Sequence, residues 1–219
     1  MSYRVSYTTH EFDDIDIHVK TLRNRQEFHD ENGKAEALGI SPERWPIFGV
    51  VWPSALVLAH YLFGTDLEGK RILEVGCGIG LTSLLLNHLD ADIMATDHHP
   101  EVKTFLDDNT RLNDDAEIPF VRTGWGDEKS DLGKFDLIVG SDLLYEDRHV
   151  DLLATFINQH SKAKNEVLLV DPGRGRHNKF CRRMQLFGFT CESFKPEDVS
   201  YLDKPFKGAI FSYRRDVSG

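Results

Sequence analysis

The chain is poor in cysteine. Its 219 residues hold three, Cys77, Cys181 and Cys191, and no CxxC pair. So sparse and odd a set argues against a disulfide framework and points to a reducing compartment, the cytoplasm. Positive charge is also short: 26 Lys and Arg stand against 36 Asp and Glu, a net charge of −10. Without a basic excess, nucleic acid and anionic membranes are poor partners, whereas a basic protein is compatible. No apolar run approaches the ~20 residues of a membrane span. The opening stretch, MSYRVSYTTHEFDD, lacks the charged and apolar blocks of a signal peptide. Repeats and low-complexity tracts are absent. What remains is globular in composition, with 40% hydrophobic and 28% charged residues. Its length suits one α/β domain, expected to act as a monomer.

The other absence is informative in detail. The apolar run Ile72-Leu73-Glu74-Val75 stops at Gly76-Cys77-Gly78-Ile79-Gly80, and an amphipathic run with Leu81, Leu84, Leu85 and Leu89 follows. That is strand, glycine turn, helix. The glycines admit a ligand to the backbone, and the helix start turns its N–H groups toward it. A dinucleotide fingerprint requires Gly or Ala three positions after its second glycine. Here that position is Leu81. Glu74 moreover places a carboxylate where a diphosphate would lie. An acidic entry suits a nucleoside ligand with no phosphate and some positive charge, and S-adenosylmethionine (SAM) is one. Seventeen residues after Gly80, Asp97 ends the next apolar run and is suited to the ribose hydroxyls. An NAD-dependent dehydrogenase is the rival that Leu81 and Glu74 disfavour.

Taken in order, residues 3–8 and 15–20 read as a hairpin joined through His10 to Asp14. Residues 24–44 read as a loop over the site. Pro53 opens a helix carrying Ala55, Leu58, Ala59 and Leu62, with Gly64 as its stop. Another helix starts near Pro100. Strands follow at 118–122, 135–139 and 167–170, with helices around Val150 to Ile157 and up to Phe187. Stretches 189–194 and 207–214 close the chain as an antiparallel pair. Strands alternating with helices predict an α/β fold, a seven-stranded Rossmann-like, mostly parallel sheet with helices on both faces, plus an N-terminal β-hairpin extension. Glu74, Asp97, Trp125, Asp142 and Asp171 each end a strand, and such ends share one crevice.

These residues resemble the seven-stranded class I SAM-dependent methyltransferases. More narrowly, they are similar to methyltransferase family 16, which includes many protein-lysine methyltransferases. The resemblance rests on Gly49-Val50-Val51-Trp52-Pro53, the Glu74 to Gly80 turn, Asp97, Trp125, and Asp142-Leu143-Leu144-Tyr145, which matches the family's DxxY signature. Asp171-Pro172-Gly173-Arg174 is similar to the electron-transfer-flavoprotein subset. The resemblance covers residues 45–215, the catalytic core, and leaves residues 1–44 as an extension of a single domain, 1–219. It implies SAM as cofactor, S-adenosylhomocysteine as product, and a protein lysine or a small-molecule amine as acceptor. A SAM-binding module without turnover is the alternative from another class.

The implied site follows residue by residue. Asp142 orients the incoming amine and Tyr145 walls the pocket. Trp52, Glu74, Gly76, Gly78, Gly80, Asp97, Trp125 and Asp142 contact the cofactor. Each has a plainer reading: Asp97 and Asp142 as helix caps, Glu74 as a strand-end charge, and the aromatics as core. No metal is expected, since His98, His99, His149 and His177 lie on separate segments. Arg174, Arg176, Arg182 and Arg183 could grip an acidic group, but a solvated helix face is the default reading. Cys77 reads as small rather than nucleophilic.

Overall fold

Two periods run through this chain, two in its strands and 3.6 in its helices, and they determine which faces are covered. In the computed structural model, residues 3–127 and 132–216 are described. Seven strands form one sheet: β3 (Arg71–Val75), β4 (Asp92–Asp97), β5 (Phe120–Arg122), β6 (Phe135–Ser141), β7 (Ser161–Asp171), β8 (Thr190–Phe194) and β9 (Ala209–Asp216). Their order is β5-β4-β3-β6-β7-β9-β8. β9 runs antiparallel to both of its neighbours, and all other pairs are parallel.

Alternate side chains of the central strands enter different cores. Leu73, Val75, Ile138, Val167 and Leu169 pack with α5 (Asp147–His160) and α6 (His177–Leu186). Ile72, Leu137, Val139, Leu168 and Val170 pack with Val57, Leu58 and Leu62 of α2 (Pro53–Phe63). The sheet is therefore buried on both faces, as parallel strands require. On α5, Val150, Leu153, Ala154 and Ile157 repeat at helical spacing and are fully buried. Reversal at the switch between β3 and β6 leaves a crevice at the strands' C-terminal ends.

The hairpin lies outside this sheet. β1 (Val5–Phe12) and β2 (Ile15–Leu22) pair with Phe12 opposite Ile15, so both strands run further toward the turn than the polar His10 to Asp14 stretch suggests. Asp13 makes this tight turn possible by taking a left-handed φ of 53°. The other edge of β2 meets α4 (Val102–Leu112). Asn109 accepts from the Lys20 N–H at 2.6 Å and donates to the Lys20 carbonyl. Asn113, one turn on, does the same for His18. Two side-chain amides thus replace a third strand.

Residues 24–50 are less loop-like than their composition suggests. They contain α1 (Lys34–Ala37) and 3-10 turns at Arg25–Glu27, Pro42–Arg44 and Ile47–Gly49. The stretch Pro42–Phe63 reaches a mean hydropathy of 1.5 over a membrane-length window, which corrects the expectation that no such run exists. It folds as two short turns and the eleven-residue α2, whose buried face packs on the sheet.

Candidate active site

The site is built around the turn between β3 and α3 (Leu81–His88). Gly76, Gly78 and Gly80 have φ of 63°, 55° and 80°, a region that side chains disfavour. A Cβ on Gly76 would lie 2.6 Å from Leu143 Cδ2, and one on Gly78 would lie 3.2 Å from the Phe48 carbonyl oxygen. Conformation and close approach both demand glycine there. The Gly78 N–H donates to Asp97 Oδ2 at 2.9 Å, and the His99 N–H donates to Oδ1 at 2.8 Å. Asp97 therefore braces the turn and leaves one lone pair on each oxygen for a ligand hydroxyl. Burial raises its pKa, against the pull of those two N–H groups.

Glu74 is 2% exposed. Its Oε2 accepts from both the backbone N–H and the hydroxyl of Ser83, at 3.0 and 2.5 Å. The carboxylate is thus turned into the start of α3, where the helix dipole favours it. This excludes the plainer of the two readings of Glu74, a solvated strand-end charge, and places the carboxylate behind the turn rather than open to the crevice. Burial pushes its pKa up to about 7, with the Ser83 bonds acting in the opposite direction.

Asp142 follows β6 in a left-handed conformation, φ 56°, pinned by its N–H to the Val170 carbonyl. Its side chain is 10% exposed and bound by Arg174. Tyr145 stands at the rim, 36% exposed. Burial and the nearby Asp97 charge hold its phenol above the ordinary value. Trp125 lies close to Gly76, 3.6 Å from the place of its missing Cβ. His149 sits between Trp125 and Tyr145, edge-on to both rings at 5.1 and 4.5 Å, and donates from Nδ1 to the Leu143 carbonyl. Burial lowers its pKa. Asp171 is buried, and its Oδ1 accepts the N–H groups of Gly173 and Arg174.

A strap from the N-terminal region crosses this cluster. His98 Nε2 donates to the Leu38 carbonyl at 3.2 Å, and Phe48 stacks on His99 at 4.1 Å. Arg44 pairs with Glu146 at 2.6 Å. Burial pushes His99 down to about 4, so it is neutral there. Trp52 belongs to the strap's root. Its indole N–H donates to the Ile47 carbonyl and Arg25 lies over its ring.

The structure thus gathers Glu74, Gly76, Gly78, Gly80, Asp97, Trp125, Asp142 and Tyr145, with Trp52 at the margin. One expectation changes. Arg174 precedes α6 and grips Asp142, so it is not part of a solvated helix face; Arg176 and Arg183 pair instead with Asp147 and Asp151. His149, Arg44 and Phe48 are site neighbours that sequence reasoning missed, because their partners are remote in the chain. The signal available for Arg174 was its place in a strand-end Asp-Pro-Gly-Arg. Among the described residues no cluster of three or more His, Cys, Asp or Glu is arranged for a metal. A groove of about 750 Å³ lined by Lys70, Arg71, Asp92 and Asp136 lies at the opposite, N-terminal edge of the strands, away from this chemistry.

The residues fit a cationic nucleoside. The glycine turn carries no basic side chain, the buried Glu74 and the half-buried Asp97 flank it, and the buried His98 Nδ1 has no partner among the described residues. A pyrophosphate would meet the Asp97 carboxylate with like charge. Sheet order, glycine turn and paired acids together define a SAM-dependent methyltransferase of Rossmann-like fold. The chain belongs to the lysine methyltransferase family, whose profile matches residues 42–186. It is 31% identical over 162 residues to the protein N-lysine methyltransferase METTL21A of Xenopus tropicalis, covering 68% of this chain and 74% of that protein. It is 29% identical over 147 residues to the electron transfer flavoprotein beta subunit lysine methyltransferase of Danio rerio, covering 62% and 55% respectively. In fold it is similar to the T. thermophilus 16S rRNA methyltransferase RsmC in complex with AdoMet and guanosine: TM-score 0.67, 12% identity, 98% of this chain and 51% of that one.

Proposed function

We propose that this methyltransferase methylates the side-chain nitrogen of a protein lysine. The observation that carries the reading is the Asp142 carboxylate, nearly buried, with Tyr145 three residues on at the rim. An acid so placed accepts a hydrogen bond from an incoming amine, and an aromatic wall favours cationic neighbours. The family and the two protein-lysine relatives support the same substrate class.

The cofactor, when bound, supplies a methyl group already activated by its sulfonium. The chain's own residues hold it and the acceptor. Gly76, Gly78 and Gly80 would bring backbone to the ligand, Asp97 would take the ribose hydroxyls, and Glu74 would set the amino end through α3. Trp125 would pack beside it, with Trp52 at the margin. The acceptor lysine must be neutral, against an ordinary pKa of about 10.4. Desolvation under the strap and beside Tyr145 favours the neutral form. Holding the acceptor in line is worth ~7–11 kcal/mol. The proton leaves to water at the rim. The net charge of −10 and three free cysteines support a cytoplasmic, monomeric enzyme with no nucleic-acid or membrane partner.

The test is incubation of lysate with the enzyme and methyl-labelled SAM, then hydrolysis of the protein fraction. Label is expected in protein and recovered as methyllysine. Asp142→Ala is expected to lower it by about 10²-fold. Label confined to the low-mass fraction defeats the proposal in favour of a small-molecule amine. SAM binding without any labelled product supports a regulatory module instead.

A further inference from the structure

Arg174 grips Asp142 with two charge-assisted hydrogen bonds. Its Nε donates to Oδ1 at 2.5 Å and its Nη2 to Oδ2 at 2.9 Å. The two side chains differ in exposure, 37% for Arg174 and 10% for Asp142, so the guanidinium reaches the acid from the solvent side. The turn that carries it is held in place. Asp171 Oδ1 accepts the N–H groups of Gly173 and Arg174 at 2.7 and 2.8 Å. Gly173 and Gly175 flank the arginine with φ of 101° and 82°, and a Cβ at either would touch nothing within 4 Å. Those glycines serve the turn's conformation and leave open space around it.

Asp171 is 4% exposed, and its Oδ2 has no hydrogen-bond partner among the described residues. The guanidinium thus faces two desolvated carboxylates, and it also lies near Tyr145. A planar guanidinium that takes both oxygens also fixes the carboxylate plane, which a lysine ammonium would not do.

We propose that Arg174 is a positioning residue that holds the Asp142 carboxylate in a fixed plane, aimed into the site, and that the acceptor amine enters by sharing the oxygens Arg174 holds. The proposal rests on Asp142 being the acid that orients the acceptor. Because Arg174 is partly in water, it can draw back as the substrate cation arrives. The arginine then acts through Asp142 and touches no reacting atom.

The experiment records the carbon-13 carboxyl resonance of Asp142 in the full chain at fixed pH, wild type against Arg174→Ala and Arg174→Lys, alongside methyl-transfer kinetics. In Arg174→Ala the Asp142 resonance should move, and kcat should fall at least tenfold while KM for SAM changes less than threefold. Arg174→Lys should recover only part of kcat, because an ammonium does not fix the carboxylate plane. An Asp142 resonance or a kcat unmoved in Arg174→Ala would overturn the proposal. Equal losses in both variants with KM for SAM raised in step would also overturn it, by showing a merely structural role. If the wild type proves inactive on lysine, the functional reading falls, and the carboxyl resonance alone still decides whether Arg174 positions Asp142.

Discussion

Glu74 sits where an ionised carboxylate is costly. Its pKa of about 7 lies above the ordinary 4.5, so the folded chain keeps a proton that the unfolded chain has lost. Stability from this group is therefore full below about pH 4.5, falls as pH rises toward 7, and stays lost above it. The difference amounts to about 3 kcal/mol. Glu74→Gln, isosteric and uncharged, is expected to gain stability relative to wild type as pH rises from 5 to 8, measured as the Tm difference at each pH. A difference constant with pH would mean that Glu74 is not titrating in this window. Gly76→Ala is expected to fail more simply. Its Cβ would strike Leu143 from a backbone conformation that disfavours it, so SAM binding by calorimetry should weaken at least tenfold. Glu74, the glycines and Asp97 were legible because they are close in sequence and each ends or begins an element. Arg174 on Asp142 was not, because 32 residues separate them and only the sheet brings β6 and β7 side by side.

At the scale of elements, periodicity gave the sheet and its helices, and missed what side chains do across gaps. The apolar run at 167–170 marks only the buried end of β7, which begins at Ser161, because its first half carries exposed lysines. Likewise β2 is completed by α4, and no strand pattern announces an asparagine acting as a strand edge. Asn109 is fully buried and serves both backbone groups of Lys20. Asn109→Ala leaves two polar groups unpaired and is expected to cost about 2 kcal/mol. That corresponds to a Tm lower by about 4–8 °C in a chain of this size, with SAM affinity retained. The strap is the other element to test. Its Arg44–Glu146 pair is partly exposed and contributes little stability. As a latch over the glycine turn it should slow exchange. Arg44→Ala is expected to release SAM several-fold faster in stopped-flow, with the Tm unchanged; an unaltered release rate would show that the strap does not cover the cofactor.

The whole molecule is a sheet buried on both faces whose C-terminal strand ends collect acids, aromatics and a glycine turn. Its substrate was not legible, because the strap and rim beside the site are assembled from side chains distant in the chain. Net charge of −10 gives the enzyme a long-range pull on basic partners, so methylation of a lysine-rich protein should slow as salt rises. The central claim is that these strand ends hold a sulfonium nucleoside with its methyl turned toward Asp142. A crystal structure with S-adenosylhomocysteine tests it most directly. The ribose hydroxyls are expected on Asp97, the backbone of Gly76 to Gly80 against the ligand, and the sulfur facing Asp142 beneath Tyr145. A nucleoside bound elsewhere, or one whose sulfur points away from Asp142, would contradict it.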